Sequence, residues 1–205
     1  METTAPFDTA TFRHALGHFA TGVTVVTTQG SGHPYGMTAN AFASVSLDPP
    51  LVLICVVNGT EGALSIRENA VFTVNVLSEE QETVSRYFAD SARPRGWATF
   101  EGIDHSRTPT GSPLLDGIAA YFDCRLTAAH EAGDHVIFIG EVVSLGTDPA
   151  KQPLLFHHGS YKRLIAEGRM SRPARDLSDL RAPVQLDDPA ALTKALEEER
   201  EERLS

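Results

Sequence analysis

The stretch "GMTANAFASVSLDPPLVLICV", Gly36–Val56, changes character half-way. It ends in Leu51–Val57, a solid apolar run of the kind buried on both faces of a sheet. Asp48-Pro49-Pro50 excludes helix before it and leads into an extended segment. Upstream, Thr38, Asn40, Ser44 and Ser46 are spaced by small or apolar residues. Small side chains admit a ligand to the backbone, and hydroxyls and amides bind it. The same residues also read as an ordinary loop entering a barrel strand, and this stretch alone leaves both readings open.

Working outward, residues 8–20 have the spacing of an amphipathic helix capped by Asp8, with Phe12, Leu16 and Phe19 on one face. Gly22–Thr28 is β-branched and reads as a strand. Gln29–Pro34 is a turn, and Tyr35–Ser46 is extended but irregular. Glu61–Asn69 reads as a short helix and Val71–Leu77 as a strand. Ser78–Ala89 reads as a helix that Ser78 caps. Residues 90–117 carry Gly, Pro and mixed charge and read as mostly loop. Two long strands, Ile118–Ala129 and His135–Leu145, are joined by the turn Glu131–Asp134, and Pro153–His158 is a last strand. Many strands with few helices predict a mainly β fold: a closed, antiparallel, Greek-key-like barrel with peripheral helices.

The domain is expected to span residues 8–165. Residues 166–188 read as a linker, and 189–205 as an acidic helix or disordered tail opened by Asp188-Pro189. A net charge of −10 argues against nucleic acid or an anionic membrane as partner. No apolar run approaches the roughly 20 residues that span a bilayer. The N-terminus shows no signal-peptide pattern. Cys55 and Cys124 each lie in an apolar run and read as free thiols of a reducing compartment, the cytoplasm. No Cys/His spacing points to zinc or another metal.

The dinucleotide, P-loop and nucleophile-elbow glycine motifs are absent. His157 and His158 are adjacent on a strand, so at most one faces any pocket. Three segments remain: the opening stretch, Gly133-Asp134-His135 at the hairpin, and His158–Arg163.

Together these segments resemble the short-chain flavin reductases, the NAD(P)H:flavin oxidoreductase components of two-component flavin monooxygenases. The resemblance runs from about Phe12 to Leu164. It includes "FATGVTVVTT", the opening stretch, "FTVNVL", "GSPLLDGIAAYFDCRL", "GDHVIFIGEVV" and "PLLFHHGSYKRL". It implies a split β-barrel that binds FMN or FAD, usually at a homodimer interface. It also implies NADH or NADPH as co-substrate, and a separate flavin-dependent monooxygenase that receives reduced flavin. Met37, Thr38, Ala39, Asn40, Ala43, Ser44, Val45 and Ser46 are then expected at the isoalloxazine and ribityl chain. Cys55 and Val56 form the other wall, and Asn58 and Thr60 stand at the phosphate. Glu61 departs from the basic or Ser/Thr-rich loop usual there and opposes an anion. Gly133, Asp134, His135 and Tyr161 are expected at the nicotinamide, with His135 as the catalytic candidate. Asp134 and His135, as strand neighbours, are expected to point apart. Two other readings share the architecture: a flavin-binding barrel without turnover, and an enzyme of the pyridoxamine-phosphate-oxidase type.

Overall fold

The computed structural model describes residues 7–164, so the expected linker and tail lie outside the described residues. Helix α1 (Thr9–Leu16) precedes strands β1 (Thr21–Gly22), β2 (Thr24–Thr28), β3 (Tyr35–Ala39), β4 (Phe42–Leu47) and β5 (Pro50–Val57). Helix α2 (Glu61–Asn69), strand β6 (Val71–Val76) and helix α3 (Glu82–Ala89) follow. A 3-10 turn (Gly96–Phe100) leads to β7 (His105–Arg107) and β8 (Pro113–Leu115). The long hairpin is β9 (Ala120–Ala132) and β10 (His135–Thr147), and β11 (Leu155–His157) and β12 (Ser160–Lys162) end the described chain.

The main sheet is antiparallel, with strand order β3-β2-β6-β9-β10-β5-β4. Its edge strands, β3 and β4, are consecutive in the chain and separated by only Asn40 and Ala41. So short a link between opposite edges requires the sheet to curl until they approach. The expected closure needs correction, however: no ladder joins β3 to β4, and the sheet is open there. Side chains meet β3 instead of a strand. Arg93 donates to the Gly36 carbonyl, and the Thr38 hydroxyl donates to the Ser85 carbonyl at 2.6 Å.

Both sides of the sheet are packed. Val26, Ile54, Ile66, Phe72, Val74 and Phe138 form one core cluster. Val25, Leu77, Phe88, Phe100, Leu115 and Leu154 form the other. Successive strand residues point to opposite faces, so Val25 and Val26 serve different clusters. Gly140 sits where β10 crosses this packing. A Cβ there would lie 2.5 Å from the Phe72 ring and 2.8 Å from Cys124 Cβ.

Buried polar groups tie the segment after α3 to the sheet. Asp123 Oδ1 accepts from Thr73 (2.9 Å), Thr108 (2.9 Å) and Thr110 (2.6 Å) hydroxyls, and Oδ2 accepts from the Thr110 N–H (3.0 Å). Asn75 donates to the Val25 carbonyl at 3.0 Å and accepts from the Leu115 N–H at 3.0 Å.

Several local expectations change. The helix begins at Glu82 rather than Ser78, because the Ser78 N–H donates to Gln81 Oε1 at 3.0 Å and Ser78 bridges to Pro153. The segment 90–117 contains ordered elements, not only loop. Asp8 does cap α1, accepting from the Thr11 N–H at 2.7 Å, but the helix stops at Leu16. Its apolar face finds no cover in the described chain: Phe12 and Leu16 are exposed, and Phe19 is 75% exposed.

Candidate functional site

Beside the open edge of β3 lies a cleft of about 650 Å³. One wall is Tyr35, Met37, Thr38 and Ala39 of β3, with Asn40 and Ala41 at the crossing. Cys55, Val56 and Val57 of β5 form another wall. Thr60 and Glu61 at the start of α2, Phe88 and Ala89 of α3, and Ser91, Arg93, Pro94 and Arg95 complete it, with His135 at the hairpin. A β-edge not covered by a neighbouring strand offers backbone donors and acceptors to a ligand. Volume and mixed lining both suit a small-molecule site.

Helix α3 holds β3 in place. Gly36 allows the close approach: a Cβ there would lie 2.6 Å from the Phe88 ring. The Thr38 hydroxyl is committed to Ser85, whose own hydroxyl hydrogen-bonds the Tyr161 phenol at 2.8 Å. Tyr161 is therefore outside the cleft lining and reaches the site through Ser85 and Thr38.

His135 opens β10 opposite Val57 of β5. Its Nδ1 lies 2.7 Å from Asp134 Oδ1, which corrects the expectation that these neighbours point apart. The turn is only Gly133-Asp134, with Gly133 at φ 63°, so Asp134 stands in the turn and escapes strand alternation. The hydrogen bond from His135, and then its charge, hold the Asp134 carboxyl below its ordinary value. A carboxylate only accepts, so Nδ1 carries the hydrogen, and in the neutral ring Nε2 is the acceptor.

Of the expected cofactor residues, Met37, Thr38, Ala39, Asn40, Cys55, Val56 and Thr60 meet at the cleft. Thr60 also caps α2, accepting from the Ala63 N–H at 3.4 Å and donating to the Val57 carbonyl at 2.7 Å. Asn58 does not line the cleft. Its amide donates to Glu131 Oε2 at 2.6 Å, and the other oxygen of Glu131 pairs with Arg67 at 2.5 Å. Ala43, Ser44, Val45 and Ser46 lie on the edge strand β4, largely exposed and away from the cleft lining. Burial raises the Cys55 thiol pKa, and burial together with the Asp123 charge pushes Cys124 up to about 12. Neither is poised as a thiolate nucleophile. His157 and His158 join His14 and His18 in a ring cluster between α1 and β11, away from the cleft.

Sequence reasoning missed Arg93 and Arg95, which lie in the segment read as loop. Arg93 is tied to the backbone: it donates to the Asp90 carbonyl at 2.5 Å and to Gly36, and its guanidinium sits 5.1 Å from the Tyr35 ring centroid. Arg95 Nε lies 3.3 Å from Glu61 Oε2. The Arg-Pro-Arg run was the available signal; its place beside Glu61 was not.

The family model described as a flavin reductase like domain matches residues 16–164. The chain belongs to the flavin reductase family. An NADH-dependent FAD reductase of Streptomyces globisporus is 43% identical over 82% of this chain and 93% of its own length. The reductase subunit of a flavin-dependent monooxygenase from Rhodococcus jostii is 40% identical over 82% and 85%. A solved NADH:FAD oxidoreductase of Streptomyces globisporus, in complex with NAD and FAD fragments, superposes with a TM-score of 0.75 at 39% identity. That match covers 82% of this chain and 100% of the other. Within this flavin reductase family member, the cleft beside β3 is the candidate active site.

Proposed function

We propose that the protein is an NAD(P)H:flavin oxidoreductase that supplies reduced FMN or FAD to a separate flavin-dependent monooxygenase. The supporting observation is the cleft at the open edge of β3 with the Asp134–His135 pair at its rim. The residues suit a flavin: an uncovered strand edge for the ring, an apolar wall at Cys55 and Val56, and a cation at Arg95 for a phosphate. When bound, the flavin and nicotinamide rings supply the hydride chemistry themselves. The chain's task is placement. The Thr38 backbone and Asn40 orient the flavin edge, and Gly133, Asp134 and His135 orient the nicotinamide amide. Tyr161 acts as a positioning residue through Ser85. Steady-state oxidation of NADH and NADPH with added FMN or FAD tests this reading. Flavin-dependent turnover with at least one pairing is expected, and none with any pairing would overturn it.

The proposed catalytic unit is residues 8–165, placed in the cytoplasm in keeping with the free thiols. We also propose a homodimer. Register puts Ser46 of β4, Leu51 of β5 and Glu141 of β10 in one row, so Leu47, Val143 and Leu145 lie at one end of the sheet. All three are exposed, Leu47 at 93%. A second chain covering this end gives the exposed β4 residues Ala43, Ser44 and Val45 a buried role. Light scattering at micromolar concentration should give twice the chain mass, and Leu47→Glu should shift it toward one chain mass. A wild-type monomer that turns over would sink the dimer.

A further inference from the structure

We infer that Glu61 and Arg95 form a latch at the cleft, in which Glu61 holds Arg95 until a flavin phosphate displaces it. This rests on the flavin reading above and deepens it. Among the described residues lining the cleft, Glu61 is the one carboxylate, and Arg93 and Arg95 are the cations besides His135 in its protonated form. Their situations differ. Arg93 is anchored by two of its N–H groups to the Asp90 and Gly36 carbonyls, which fixes the position of its guanidinium. Arg95 is 79% exposed, and its ion-pair partner among the described residues is Glu61, at 3.3 Å.

A single contact of that length on exposed side chains is weak and exchangeable. A phosphate offers a guanidinium a shorter, two-point contact of higher charge. The incoming anion therefore wins Arg95, but only after the carboxylate yields and while still feeling its charge. Glu61 thus lowers affinity for phosphorylated flavin without blocking the cleft. For an enzyme whose product must leave for another protein, weaker retention favours release. The unfavourable acid noted in the sequence is, on this account, a tuning residue for release.

The test is fluorescence titration of FMN and of riboflavin, which lacks the phosphate, into wild type, Glu61→Gln, Glu61→Ala and Arg95→Gln. Glu61→Gln is expected to tighten FMN about threefold to tenfold and leave riboflavin unchanged. Glu61→Ala should agree, guarding against a new contact from the amide. Arg95→Gln should reduce the preference for FMN over riboflavin by a similar factor. The gain from Glu61→Gln should shrink as salt rises from roughly 0.01 to 1 M. Unchanged FMN affinity in both Glu61 variants, or equal tightening of FMN and riboflavin, would overturn the latch while leaving the flavin reading standing. A wild type that binds neither flavin would overturn that reading itself.

Discussion

His135→Ala lowers kcat/KM for NADH roughly 10- to 100-fold, about 1.4–2.8 kcal/mol in transition-state stabilisation, and changes flavin affinity little. The scale is that of lost positioning, because the reacting rings are not the protein's own. His135 lines the cleft from the first position of β10, and its backbone is held in register by Val57 on one side and Ala132 on the other. The Asp134 carboxylate at 2.7 Å fixes Nδ1 as the donor, so the neutral ring keeps Nε2 free to accept from a substrate amide. Asp134→Asn should lose less, since its amide oxygen still accepts from Nδ1. The measurement is stopped-flow reduction of flavin-loaded wild type and variants over a range of NADH concentrations. Traces for His135→Ala that superimpose on wild type would remove His135 from the site and leave the assignment to β3 and β5.

Asp123→Ala destabilises the fold by about 2–4 kcal/mol, because three hydroxyls and one N–H lose their common acceptor inside the protein. For a chain of this size that is a fall in Tm of roughly 5–15 °C. Asp123 is fully buried on β9 and gathers Thr73 from β6 with Thr108 and Thr110 from the segment between β7 and β8. Its loss therefore loosens the attachment of that segment rather than the main sheet alone. Asp123→Asn should lie between, keeping an acceptor but turning an amide donor toward one of the groups. Thermal unfolding followed by circular dichroism decides it. A Tm within about 2 °C of wild type would mean that the threonines find other partners at no cost.

Much of this molecule was legible in the chain. Leu51–Val57 is a central strand, Glu61–Asn69 is a helix with those bounds, and the long hairpin turns at Gly133-Asp134. These depend on local properties: β-branched and apolar runs, a threonine cap, a glycine able to adopt positive φ. Met37–Asn40 and Cys55-Val56, expected at one site, do line one cleft. Ser44, expected at the same place, does not line that cleft. Its composition resembles that of Thr38, yet it lies past the crossing at Asn40-Ala41, on the opposite edge strand. Tyr161 was placed near the nicotinamide, but the phenol is spent on Ser85.

By itself, the sequence determined most of the strand and helix positions, the mainly β class and the family. Those properties are carried by neighbours along the chain, where backbone propensity and side-chain period act directly. Tertiary structure alone decided the rest: that the sheet stays open between β3 and β4, that the apolar face of α1 is left uncovered by the described residues, and that Arg95 meets Glu61 across 34 residues. These are contacts between distant segments. They depend on how the curled sheet brings its edges together and on which direction each side chain leaves the backbone, and neither is written in any local window of the sequence.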